Sequence, residues 1–95
     1  MPLPTIDIAS AQITVTSAAT ALDQSTAGYR SLLLRNRGAV AVYLGDSNVS
    51  TSTGFQLDPG ETTSIDIARS GAAGALWGVT ASSTARVDVL QVGLV

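Results

Sequence analysis

The chain has 95 residues, 45% of them hydrophobic and only 13% charged, with a net charge of −2. That length supports one domain, and the charged share is about half the usual value of roughly 25%. No His and no Cys are present, and all five positive charges are Arg. Disulfides and thiolate metal sites are thereby excluded, the commonest general base is missing, and the charge balance points away from nucleic acid. So little charge makes a fully solvated, patch-free surface hard to build, and part of the surface is expected to lie under another chain.

The opening residues MPLPTIDIAS carry no basic segment and no long apolar run, so no signal peptide is expected. No apolar stretch long enough to span a membrane as a helix follows. Pro2 and Pro4 disfavour pairing as a central strand, and residues 1–11 are expected to form an extended arm. Leu3, Ile6 and Ile8 give that arm side chains worth burying against a neighbouring subunit.

Beyond the arm the dominant period is two. Ile13 and Val15 alternate with Gln12, Thr14 and Thr16; Ile65 and Ile67 alternate with Ser64, Asp66 and Ala68. Near the end, Val87, Val89 and Gln91 share one parity, and Arg86, Asp88 and Leu90 the other. This is half-buried strand patterning with β-branched residues facing inward. Strands are expected near 12–17, 29–35, 40–44, 54–57, 62–68, 74–80 and 84–92. Residues 17–28 read as a continuation of strand followed by a turn at Gly28, and residues 70–75 as a loop of small residues. The expected fold is all-β: an antiparallel β-sandwich or barrel-like domain over residues 12–95, preceded by the arm.

Leu32-Leu33-Leu34 breaks the alternation, because it is apolar on both faces of its strand. Either a loop covers the second face or an oligomer interface does. The segment Arg35-Asn36-Arg37-Gly38 sets two guanidinium groups beside a turn, which suits ionic contact with a partner or simple solvation. Trp77 is expected in the core, with sugar stacking as the alternative.

Residues 46–54, DSNVSTSTG, hold acidic and amide groups that invite a metal reading. A calcium loop needs Gly at its sixth place and Glu at its twelfth; here those places hold Thr51 and Leu57. Asp46 and Asn48 are better explained as turn residues, and the sequon Asn48-Val49-Ser50 as chance. Asp58-Pro59-Gly60-Glu61 predicts a type II turn rather than a working carboxylate pair. With no His, Lys or Cys to activate a hydroxyl, no catalytic site, cofactor or metal is expected, and the protein is not expected to be an enzyme.

The order YRSLLLRNRG, VAVYLGDSNVSTSTGFQLDPGETTSIDI and ALWGVTASSTARVDVLQVG resembles small virion proteins of tailed bacteriophages, of the head-decoration, head-fibre and tail-associated kinds. The resemblance spans about residues 12–93 and rests on scaffold motifs: the strand ending in Arg35-Asn36, the VYLG strand, and Gly54, Phe55, Leu57, Pro59, Gly60 and Glu61. It implies a β-sandwich module that binds a capsid or tail surface, often as a trimer. The additional domains of fibre-like members are missing, which favours decoration of the capsid exterior after synthesis in the host cytoplasm. The implied partners are the major capsid protein and other copies of the chain, with no nucleic acid, membrane or small-molecule substrate. Leu33 would supply the association face, Leu3, Ile6 and Ile8 the arm, and Arg35 and Arg37 the ionic contacts. A tail-associated role and a carbohydrate-binding module using Trp77, Tyr29 or Tyr43 are the competing readings.

Overall fold

A computed structural model describes residues 6–22, 29–68 and 76–94, and side chains over 8–22, 31–66 and 76–93. The described residues hold eight strands and no helix: β1 (Ile6–Val15), β2 (Thr20–Ala21), β3 (Tyr29–Asn36), β4 (Val42–Gly45), β5 (Phe55–Leu57), β6 (Thr62–Ala68), β7 (Trp77–Val79) and β8 (Ala85–Leu94). They form two four-stranded sheets, ordered β1-β8-β3-β6 and β2-β7-β4-β5. All ladders are antiparallel. Only β4 and β5 follow one another within a sheet; every other connection passes from sheet to sheet. This is the strand order of a jelly roll, two Greek keys folded into a sandwich. The expected all-β antiparallel sandwich is the observed fold.

The two sheets differ in length. β1 and β8 pair over ten residues each, about 34 Å at strand rise. The strands of the other sheet are two to four residues long. The core lies where the short sheet covers the long one. It consists of Val15, Leu22, Leu32, Leu34, Val42, Leu44, Leu57, Leu76, Ala85, Val87 and Val89. Each large side chain among them contributes on the order of 1.5–3 kcal/mol through burial, so the sandwich rests mainly on these residues.

Residues 6–11, expected within the extended arm, are extended but not separate. They form the first half of β1, paired with β8 from Ile6↔Leu94 to Ala11↔Val89. Residues 1–5, including Leu3, lie outside the described residues, as does the turn expected at Gly28. Strand β2 begins after a break at residues 16–19 and pairs with β7, so residues 17–22 do not simply continue the first strand, and residues 23–28 lie outside the described residues.

One buried polar residue locks the sandwich at the end of β3. Asn36 is fully buried. Its Nδ2 donates to the Val40 and Leu57 carbonyls, each at 2.9 Å, and its Oδ1 accepts from the Gly38 amide at 2.9 Å. Its backbone amide donates to the Glu61 carbonyl at 3.0 Å, and its carbonyl accepts from the Gly60 amide at 2.7 Å. The turn at residues 58–61 is thus tied directly to β3. Gly60 has φ +82°, the left-handed value that the third place of a type II turn demands. The Glu61 amide closes the turn on the Asp58 carbonyl at 3.0 Å, while the Glu61 carboxylate accepts from the Asp58 amide at 2.7 Å. Asp58 and Glu61 are turn chemistry, as expected.

The candidate calcium loop resolves in the same way. Asp46 Oδ1 accepts from the Asn48 amide at 2.9 Å, the Asx-turn geometry, and Ser50 Oγ meets Thr53 Oγ1 at 3.0 Å. Val49, the middle residue of the sequon, is buried beneath this loop.

Candidate functional site: the outer face of the long sheet

The ladder registers place the outward side chains of the long sheet in rows. One row runs Ile8, Val92, Ser31, Asp66; the next Ser10, Leu90, Leu33, Ser64; the third Gln12, Asp88, Arg35, Thr62. The first two rows hold four of the five large hydrophobic residues exposed among the described residues. Ile8 is 65% exposed, Leu33 45%, Leu90 40% and Val92 39%. Ile8 stands opposite Val92, and Leu90 opposite Leu33. They form a contiguous stripe, which isolated surface leucines do not.

The stripe records a change of face along the strands. In β1, Ile13 and Val15 point into the sandwich, whereas Ile8 points outward. In β8, Val87 and Val89 are buried core residues, but Leu90 and Val92 are exposed. Toward the end of the long sheet near Ile8 and Val92, the inward positions of β1 and β8 carry Ala9 and Gln91, while Leu32 and Ile65 keep large aliphatic side chains inward on β3 and β6. Apolar character therefore crosses from the inner face to the outer one. A strand buried on one side alone keeps a single apolar parity, so this crossing marks a second surface that water does not solvate well.

Beside the stripe lies a polar row. Arg37 Nη1 meets Asp88 Oδ2 at 3.3 Å, with the side chains 51% and 33% exposed. Arg86 Nη1 donates to Gln12 Oε1 at 3.4 Å. Arg35 lies directly across the ladder from Asp88, yet its side chain makes no hydrogen bond or ion pair with any described residue. Asp88 Oδ1 is covered and lacks a hydrogen-bond partner. Along this boundary runs a groove of about 700 Å³ whose lining includes Ser10, Gln12, Leu33, Arg35, Asp88 and Leu90. Farther along, Ser31 Oγ donates to Asp66 Oδ1 at 2.6 Å.

The structure thus brings Ile8, Leu33, Arg35 and Arg37 onto one surface. Ile6 shares the parity of Ile8 on β1, though its side chain is not among those described. Leu33 lies under no loop of the described chain. Sequence reading overlooks Leu90, Val92 and Asp88 as members of the same surface; the signal is present in LQV, where Leu90 and Val92 bracket the inward Gln91. It also overlooks Asn36, whose partners come from the adjoining residues 38–40 and from the distant residues 57–61.

Trp77 is not part of the core. Gly78 is the inward residue there, buried against Leu22, Val42 and Val15. Alternation therefore turns Trp77 to the outer face of the short sheet, half-buried. Tyr43 shares that face, across the ladder from Val79. The side chain of Tyr29 is outside the description. Among the described residues, no group of three or more acidic side chains is placed to hold a metal ion, and no helix is long and apolar enough to cross a membrane.

The sequence matches no protein-family description and no curated protein. Among solved structures, the chain is similar to one from Bacillus endospore appendages, described as a novel family of disulfide-linked pili. The TM-score is 0.57 and the identity 17%, covering 99% of this chain and 92% of that one. At that identity the likeness concerns the fold alone.

Proposed function

We propose that the protein is a non-enzymatic structural module of a bacteriophage virion, attached to the outside of the capsid shell as a homo-oligomeric decoration, or cement, protein. The observation that carries this reading is the apolar stripe of Ile8, Val92, Leu90 and Leu33 on an otherwise polar outer face. A chain that contributes binding surface rather than chemistry needs an unreactive scaffold and such a face. The jelly roll recurs in viral capsid domains and in lectins, a fold-level analogy that supports the reading without deciding it. The similar solved chain belongs to a disulfide-linked assembly. With no Cys, this chain has only non-covalent contacts for any assembly of its own. Repetition of weak contacts on a symmetric shell converts them into strong attachment.

Cryo-electron microscopy of the parent particle tests the reading. Density matching this sandwich on the capsid exterior is expected, next to the major capsid protein; density confined to the tail, or none, overturns it. A second reading, a carbohydrate-binding module, draws on Trp77 and Tyr43 sharing one outer face of the short sheet. Binding on a glycan array that is lost in Trp77→Ala would favour it.

A further inference from the structure

We infer that the outer face of the long sheet is a self-complementary surface that pairs two copies of this chain face to face about a two-fold axis running along the strands, between β8 and β3. The inference rests on reading this face as a docking surface, but not on the virion assignment.

Rotation about that axis keeps each row in place and exchanges β8 with β3. Leu90 of one copy then meets Leu33 of the other, and Leu33 meets Leu90, so each contact occurs twice, as an isologous interface requires. In the next row the same exchange sets Asp88 of each copy against Arg35 of the other. These two groups are incompletely satisfied in the single chain: Arg35 has no acceptor among the described residues, and Asp88 has an oxygen without a donor. Turning the Asp88 carboxylate presents that oxygen to the incoming guanidinium. Arg–carboxylate pairs suit such fork-like geometry. Gln12 meets Thr62 and Ser10 meets Ser64 at the flanks, both polar pairs. In the remaining row Val92 meets Ser31 and Ile8 meets Asp66, so the apolar contact of the pair comes from the leucine row. Arg86 stands beyond the paired rows and keeps Gln12, whereas Arg37 shares the Asp88 carboxylate with the incoming guanidinium.

A two-fold axis across the strands through the leucine row would lay the Asp88 carboxylate against Val92, and one between the first two rows would set Leu90 against Val92 but give Arg35 and Asp88 no charged partner. Aligned packing of sheets needs facing side chains that interdigitate, and two pairs of leucines flanked by opposite charges satisfy that. The footprint is roughly 19 by 20 Å from strand spacing and rise, about 800 Å² over both copies, below the roughly 1,200 Å² at which stable specific interfaces begin and in the range of weak encounters. The pair therefore forms reversibly, with a dissociation constant on the order of micromolar or weaker. Two-fold pairing departs from the three-fold assembly that the virion resemblance implies.

Sedimentation equilibrium of the purified chain, from low micromolar to submillimolar concentration, tests this without any capsid. A reversible two-copy mass is expected. Arg35→Asp and Asp88→Arg, each alone, set like charges against each other and should weaken the pair by about tenfold or more. An equimolar mixture of the two variants sets opposite charges against each other again. The introduced carboxylate of one variant meets the introduced guanidinium of the other, and the retained Asp88 meets the retained Arg35. Pairing close to the original should return. Complementation between separate chains cannot arise within one chain. Because Asp88→Arg also removes the partner of Arg37, a second mixture, Leu33→Lys with Leu90→Glu, repeats the test at outward positions that no core contact needs. Recovery in either mixture supports the inference. A monomer at every concentration, a three-copy mass, or folded variants whose mixtures pair no better than each alone overturns it. Failure here leaves shell attachment standing, and an empty virion image leaves the pair standing.

Discussion

Arg35 and Asn36 are neighbours on one strand and have opposite fates. Asn36 points inward, is fully buried, and engages both polar atoms of its side chain. Arg35 points outward beside an incompletely satisfied carboxylate and is bonded to none of the described polar groups. The inward residue holds the fold of the single chain together. The outward one belongs to a surface that the single chain leaves unfinished. Polar groups at such neighbouring positions cost and contribute differently: a buried unmet group costs about 1–3 kcal/mol, whereas an exposed one loses almost nothing until a partner arrives.

The difference can be broken from the inside first. Asn36→Ala removes three side-chain hydrogen bonds and leaves the Val40 and Leu57 carbonyls and the Gly38 amide without their partner. Denaturant unfolding should show a loss of about 3–4 kcal/mol. Gly38→Ala acts nearby through space, since a Cβ there would stand 2.5 Å from the Ala85 Cβ. Crowding at the junction of β3 and β8 should cost about 1–3 kcal/mol in the same assay. Gly60→Ala forces a left-handed backbone on an L-residue and should cost about 1–2 kcal/mol, with no clash to add because the site is open.

Changes on the outer face should leave single-chain stability nearly untouched. Arg37→Ala removes an exposed ion pair and should cost about 0.5 kcal/mol or less, vanishing at high salt. Leu33→Ser should change the stability of the dilute chain by only about 0.5 kcal/mol while reducing association at high concentration. If Leu33→Ser instead unfolded the dilute chain, the residue would belong to the core and the contrast would collapse.

Most of the fold and half of the surface are legible in the sequence, for physical reasons. Strand β6 lies where alternation and β-branched residues put it, and the turn at residues 58–61 follows from Pro59 and Gly60 alone. The start of β1 is misplaced because its apolar parity reverses: Ile6 and Ile8 belong to one face, Ile13 and Val15 to the other. Read with one period, the segment looks like an arm followed by a strand. The structure shows one strand whose apolar side chains change face partway along, with Ile8 exposed on the outer face. Trp77 reads as a core residue from its size, but Gly78 occupies the inward place beside it. Asn36 cannot be identified from its neighbours, since its partners come from residues 38–40 and from Leu57, and only the closed sandwich brings these together. Leu33 is legible because three consecutive leucines cannot share one face. Its companions Leu90 and Val92 become visible only once the ladder sets β8 beside β3.

The central claim is that the outer face of the long sheet is where this chain meets another copy of itself. Backbone amide chemical shifts followed by NMR over a concentration series test it most directly. Concentration-dependent shifts should gather on the rows of Leu90 and Leu33 and of Asp88 and Arg35, and should be suppressed in Leu33→Lys. Shifts gathered instead around Trp77 and Tyr43 on the short sheet, or none at any concentration, would contradict it.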